Sequence, residues 1–177
     1  MPSNEYHFFT RWRVEATCEE VYAILDDTAD LPRWWPSVYL TVTRLPPVPE
    51  RGPGNIFELW TKGWLPYTLR WRMRRTGEQP PHGFTFEAWG DFVGRGEWTF
   101  VQDGPFVDVA FDWRLRADKP LIKALSWLMK PIFSANHRWA MRRGDESLNL
   151  ELVRRRGKEV SPPPGPTFVK RKASGVA

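Results

Sequence analysis

The chain has 177 residues, a length typical of one domain, and its 41% hydrophobic residues, with 11 Trp and 11 Phe, provide enough apolar surface for a large core. The single cysteine excludes an internal disulfide and fits a reducing, cytoplasmic location. The net charge is +5, but residues 157–177 carry +3 of it and leave +2 for residues 1–156, which argues against a nucleic-acid-binding protein.

The first predicted element is a half-buried strand over residues 5–16, because apolar side chains there alternate with charged ones on a period of two. A helix follows, since Thr17 is a good N-cap and Glu20 stands three residues later as its capping-box partner. The segment "TADLPRWWP" then predicts a turn and a second short helix, with Pro32 in its first turn and Pro36 closing it.

Residues 38–117 keep a period of two nearly throughout, interrupted by turns, which predicts an antiparallel sheet with one face exposed to water. Its inward positions are candidate ligand-binding residues. They are Leu69, Trp71, Gly94, Gly96, Trp98, Val109 and Phe111. The two glycines leave room on their strand for a bend or a ligand.

The turn at Gly90-Asp91 decides where one candidate catalytic residue lies. A two-residue turn with Gly first would place Glu87 inside a cavity, with a raised pKa and a general acid/base role. A three-residue loop would instead turn Phe86 and Ala88 inward and leave Glu87 on the outer face. The turn chemistry favours the first register and the apolar pattern favours the second, so both stay open at this point.

Residues 119–156 predict one long helix. We expect its apolar stripe to pack across the concave face of the sheet. The candidate ligand-binding residues on this stripe are Met129, Phe133, Asn136 and Ala140. A buried amide needs partners, so Asn136 either contacts a ligand or ties down a loop carbonyl. His137 lies one position further round, and no second histidine, serine or cysteine joins it in a nucleophilic triad. Candidate proton-transfer residues are therefore Glu87, Asn136 and His137.

Residues 157–177 are rich in Pro and Gly, and we expect them to form a disordered basic tail outside the domain of residues 1–156. No signal peptide is expected. The most apolar stretch, residues 121–133, is too short to span a bilayer, so no stable membrane insertion is expected either. No metal-ligand set, phosphate loop or dinucleotide fingerprint is present, so we expect no metal and no cofactor. The oligomeric state is not determined by these patterns.

Four segments carry a resemblance to a known family. They are "EEVYAILDDTADLPRWWPSV", "GDFVGRGEWTF", "VDVAFDWRLRADKP" and "NHRWAMRRGDESL". With the order of the predicted elements, they resemble the SRPBCC branch of the START-like superfamily, the polyketide cyclase/dehydrase and lipid-transport-like proteins. The resemblance covers nearly all of residues 5–156. It implies an α+β helix-grip fold, in which a curved antiparallel sheet of about seven strands wraps around a long C-terminal helix and two short helices follow the first strand.

Proteins of this kind bind lipids, sterol-like molecules, polyketide intermediates or plant hormones, and they share no catalytic motif. The resemblance thus implies binding of a small hydrophobic molecule between the sheet and the C-terminal helix. The alternative is a polyketide cyclase or dehydratase reaction in the same cavity. Neighbouring helix positions point about 100° apart, so we expect one of Trp34 and Trp35 in the core and the other at the rim of the cavity.

Overall fold

The computed structural model describes residues 5–117 and 120–167, and the side chains of residues 5–116 and 130–167. Within these residues the strands are β1 (Glu5–Glu15), β2 (Tyr39–Leu45), β3 (Ile56–Lys62), β4 (Thr68–Gln79), β5 (Gly83–Gly90), β6 (Phe92–Asp103) and β7 (Phe106–Ala117). They form one antiparallel sheet in the order β1-β7-β6-β5-β4-β3-β2. The predicted helix-grip architecture is confirmed.

The edge strand β1 has the two faces that its alternating sequence predicts. Tyr6, Trp12 and Val14 are buried, whereas Arg11 and Arg13 on the other face are exposed. The strand pairs with β7 along its whole length. Because β7 alternates in the same way, the two strands together give the sheet one apolar and one charged face.

Helix α1 (Cys18–Leu25) begins with the predicted capping box. The Glu20 N–H donates to Thr17 Oγ1 at 3.2 Å, and the Thr17 N–H donates to Glu20 Oε2 at 2.8 Å. The first residue of the helix, Cys18, is buried, and burial raises the pKa of its thiol. The cap therefore fixes both the start of the helix and the direction in which it leaves β1.

A 3₁₀ turn (Thr28–Asp30) leads into helix α2 (Leu31–Trp34), and helix α3 (Pro120–Arg155) follows the sheet. Helix α3 packs against β1 and against both short helices. The buried carboxylate of Glu151 on α3 accepts a hydrogen bond from Arg33 of α2 at 2.6 Å, which joins these two helices. None of the described helices is long and apolar enough to cross a bilayer.

After α3 the chain continues without regular secondary structure over residues 158–166. The Thr167 hydroxyl donates a hydrogen bond to the Gly63 carbonyl at 3.1 Å. Residues 168–177 lie outside the described part of the chain, so the expected disorder of residues 157–177 stays a prediction.

Candidate ligand-binding cavity

A cavity of about 200 Å³ lies between the concave face of the sheet and α3. Every strand of the sheet contributes to its wall, as do α2 and α3. Most of the side chains in the wall are aromatic or aliphatic, because the inward positions of the alternating strands converge here. The fold thus places an apolar space under the long helix.

Aromatic rings in near-parallel stacks form the part of the wall that β5, β6 and β7 provide. Trp98 stacks on Phe111, with ring centroids 4.2 Å apart and planes 16° from parallel. Phe111 lies 5.8 Å from Trp113 and 6.3 Å from Phe86, with interplanar angles of 18° and 19°. Stacked rings of this kind offer flat, rigid apolar faces to the cavity.

Most of the candidate ligand-binding residues line this cavity. They are Trp35, Leu69, Trp71, Trp98, Phe111, Phe133, Asn136 and Ala140. Four candidates are not among its lining residues: Trp34, Gly94, Gly96 and Val109. The side chain of Met129 lies outside the described residues.

The two glycines fail to line the cavity for different reasons. A Cβ atom at Gly96 would lie 2.3 Å from the ring of Phe86, so that ring already occupies the space in front of the glycine. A Cβ atom at Gly94 would lie 2.2 Å from the Arg114 carbonyl oxygen. The absence of a side chain there permits close approach of β6 and β7 and leaves no room for a ligand.

Of the adjacent tryptophans, one lies in the core, as expected, and the other lines the cavity but does not lie at its rim. Trp35 lines the cavity and meets Tyr39 edge-on at 5.1 Å, whereas Trp34 lies in the core, 5.6 Å from the Trp35 ring. Trp35 is only 2% exposed, so it belongs to the inner wall and not to an open rim.

Val109 does not line the cavity because it is enclosed in the core, where it is 1% exposed.

Glu87 does not face the cavity, so the two-residue turn is the wrong register. β5 pairs with β6 so that Phe86 opposes Gly96, which corresponds to the three-residue loop. Glu87 therefore lies on the outer face of the sheet, where the Arg74 Nε–H donates to its carboxylate at 3.1 Å. A proton-transfer role in the cavity is excluded for Glu87 by this position.

The loop between β3 and β4 is attached to α3 by Asn136. The Leu65 N–H donates to Asn136 Oδ1 at 3.2 Å, and a Cβ atom at Gly63 would lie only 2.1 Å from the same oxygen. The buried Lys62 ammonium donates to the Leu65 carbonyl, also at 3.2 Å. The sequence predicts that Asn136 contacts either a ligand or a loop carbonyl. The structure shows a loop contact, but the partner is the backbone N–H of Leu65 and not a carbonyl.

His137 lies in the cavity wall and stacks on Phe8, with ring centroids 4.2 Å apart. Burial, together with the charge of Arg138, lowers the pKa of His137 to about 4. The imidazole is consequently neutral at pH 7 and a weak base.

A family model described as polyketide cyclase/dehydrase and lipid transport matches residues 14–142. The chain belongs to this family. A search of curated proteins gives no match.

Several proteins of known structure have the same fold as this chain. TTHA0849 from Thermus thermophilus is 16% identical with a TM-score of 0.66, over 86% of this chain and 100% of that chain. The Zhui aromatase/cyclase from Streptomyces sp. R1128 is 14% identical with a TM-score of 0.69, over 85% of this chain and 95% of that chain. A START superfamily protein from Mycobacterium smegmatis is 16% identical with a TM-score of 0.54, over 76% of this chain and 97% of that chain. At such identities the likeness establishes the fold.

Several cavity residues of this family member were missed by sequence reasoning. Some continue a recognised alternation and could have been found from it: Tyr6, Phe8, Met73, Trp113 and Leu115. Asp91 could not have been found from an alternating pattern, because it lies in the turn between β5 and β6. Its N–H donates to the Arg70 carbonyl at 3.0 Å and its carboxylate accepts the Arg70 N–H at 2.9 Å, which holds Asp91 against β4 in the cavity wall.

Proposed function

We propose that the protein binds a small hydrophobic molecule, lipid-like or polyketide-like, in the cavity between the sheet and α3. The observation that carries the proposal is the aromatic-lined space of about 200 Å³. Protein interiors are otherwise close-packed, and an empty apolar cavity destabilises a fold by roughly 24 cal/mol per Å³. A bound apolar molecule would recover that free energy. The family description, which includes lipid transport, supports the same proposal.

The substitution Phe133→Trp tests whether the space is used. Phe133 lies in the cavity wall on α3, so a larger ring there should fill the space, weaken binding of a hydrophobic dye at least tenfold and keep or raise Tm. The wild type is expected to bind the dye with micromolar affinity or better, measured by quenching of tryptophan fluorescence.

Phe9→Trp is the matched control, because Phe9 is exposed on the opposite face of β1 and adds a tryptophan without entering the cavity. A wild type that binds no hydrophobic dye, or a strongly destabilised Phe133→Trp protein, would indicate a close-packed core without a usable site.

A second candidate function is a polyketide cyclase or dehydratase reaction in the same cavity. Asp91 favours it, because a carboxylate in the wall of an apolar cavity is a suitable group for proton transfer. The likeness to the Zhui aromatase/cyclase is a further, fold-level support. Mass spectrometry combined with chromatography of the released ligand separates the two functions. A co-purified ligand whose mass and retention time both stay constant on incubation supports binding alone, whereas loss of water or conversion to an isomer of equal mass supports the reaction.

A further inference from the structure

Three residues of the cavity wall have a buried polar side-chain atom without a hydrogen-bond partner among the residues that the structure describes. They are Tyr6 through its hydroxyl oxygen, Trp35 through Nε1 and His137 through Nε2. The Tyr6 hydroxyl and His137 Nε2 can each accept a hydrogen bond, whereas the Trp35 indole can only donate one. Leaving a buried donor or acceptor unpaired costs free energy that an apolar side chain of the same shape would not. Phenylalanine in place of Tyr6 or His137 would keep an aromatic ring there without that cost.

The two groups lie in one part of the wall, where β1 meets α3. The Tyr6 ring lies 5.9 Å from Phe8, and Phe8 also stacks on His137, with ring centroids 4.2 Å apart. Phe133, one helical turn before His137, meets Tyr6 edge-on at 6.0 Å. Tyr6 and His137 therefore belong to one cluster of rings in the cavity wall, on which the apolar surface of a ligand can pack.

The Tyr6 and His137 side chains are both uncharged. Burial raises the pKa of the Tyr6 hydroxyl, and the His137 imidazole, with a pKa of about 4, is neutral at pH 7. Tyr6 can donate or accept a hydrogen bond, and Nε2 does one or the other according to the tautomer. Such a pair suits a hydroxyl or a carbonyl group.

Two charged residues of the cavity wall, Lys62 and Asp91, have hydrogen-bond partners within the protein. The Lys62 ammonium donates to the Leu65 carbonyl, and the Asp91 carboxylate accepts the Arg70 N–H. The Lys130 ammonium lies over the face of the Tyr6 ring, 5.7 Å from its centroid, and is not among the lining residues. Arg138, the cation beside His137, is not among the lining residues either, so an anionic ligand head would lose its hydration without direct contact with a cation at Tyr6 and His137.

We infer that the cavity takes an uncharged, flat aromatic ligand that carries a hydroxyl or carbonyl group, and that Tyr6 and His137 hydrogen-bond this group. The inference rests on the proposed ligand-binding function. It makes Tyr6 and His137 determinants of specificity. The stacked rings of β5, β6 and β7 accommodate the flat part of the ligand.

Three probes of similar shape test the inference by isothermal titration calorimetry: 2-naphthol, naphthalene and 2-naphthoate. The wild type is expected to bind 2-naphthol about fivefold more tightly than naphthalene, which is the effect of one ordinary net hydrogen bond, and to bind 2-naphthoate most weakly. The variants Tyr6→Phe and His137→Phe should each reduce the preference for 2-naphthol over naphthalene while keeping the affinity for naphthalene and the Tm of the wild type.

Tyr22→Phe is the matched control. Its hydroxyl donates to Glu78 at 2.7 Å, it is not among the cavity residues, and its loss should leave the preference unchanged. Equal affinity for 2-naphthol and naphthalene, an undiminished preference in both variants, or tight binding of 2-naphthoate would overturn the inference and leave the proposed function standing. Failure of all three probes to bind the wild type would instead contradict the proposed function itself.

Discussion

Asn136 shows how one side chain can fix the shape of a cavity that it lines. Its oxygen accepts the Leu65 N–H, and Gly63 lies so close that no larger residue fits without displacing the amide. The side chain thereby holds the β3–β4 loop against α3. Because Gly63 and Asn136 both line the cavity, the position of this loop affects the size of the space.

Replacing Asn136 with Leu should release the loop. The substitution leaves the Leu65 N–H without an acceptor, so we expect a loss of about 1–3 kcal/mol in the free energy of unfolding and faster hydrogen exchange at the Leu65 amide. Asn149→Leu makes the same change at an exposed position of the same helix and should leave the Leu65 amide unaffected. Unchanged protection of Leu65 in the Asn136 variant would mean that the loop is held by other contacts.

Among the elements, α2 and α3 are joined by a cluster of charges around Glu151. The buried carboxylate accepts hydrogen bonds from Arg33 at 2.6 and 3.0 Å, from Arg154 at 2.7 Å and from Arg155 at 2.7 Å. Burial alone would raise the pKa of Glu151, but the three guanidinium groups outweigh burial and hold that pKa well below its usual range. The cluster fixes α2, and with it Trp35, against the long helix.

We expect Glu151→Gln to destabilise the protein by about 2–4 kcal/mol, because it removes the buried charge that offsets three guanidinium groups and leaves only the Asp30 carboxylate, which pairs with Arg33 and Arg155. The arginines are partly exposed, and water screening keeps the loss below that of a fully buried cluster. Glu146→Gln, which breaks the exposed pair with Arg143, should cost less than about 0.5 kcal/mol. Urea unfolding of the three proteins at pH 7 measures both values, and similar losses in the two variants would contradict the role given to Glu151.

The same cluster predicts a pH dependence. The pKa of Glu151 in the folded state lies below the ordinary value of 4.5, so its contribution to stability is fully present above that value and is lost as the pH falls toward the folded pKa. The difference in free energy of unfolding between wild type and Glu151→Gln should therefore shrink as the pH is lowered from 6 to 3. A constant difference over this range would show that the carboxylate does not act through its charge.

For the whole molecule, the expected boundary of the domain near residue 156 is open to a direct test. A chain ending at Arg156 keeps every strand and helix of the described fold. It loses the hydrogen bond from Thr167 to Gly63 and those from the Gly157 and Lys158 N–H groups to the last turn of α3. Water can replace the two bonds at the helix end, and the Thr167 bond contributes about 0.5–1.5 kcal/mol, so we expect Tm to fall by no more than a few degrees. A larger loss in a thermal melt would mean that residues 157–177 are part of the folded domain.

Local patterns predicted the fold well because local interactions specify its elements. The alternation of β1 and the capping box of Thr17 and Glu20 depend on residues a few positions apart, and both are confirmed. The cavity depends on contacts between distant strands. Asp91, in the β5–β6 turn, hydrogen-bonds to β4, and Phe86 fills the space in front of Gly96. Neither contact is visible in the spacing of residues along the chain.

The burial of Cys18 has a practical consequence. It is the only cysteine in the sequence, it is 2% exposed, and burial raises the pKa of its thiol, so it reacts slowly with electrophiles. A single cysteine introduced at exposed Trp64, next to Gly63 of the cavity wall, would then be the one readily alkylated sulfur in the protein. The natural sequence is in this respect already suited to attaching a fluorophore at one chosen position, with no native residue to remove first.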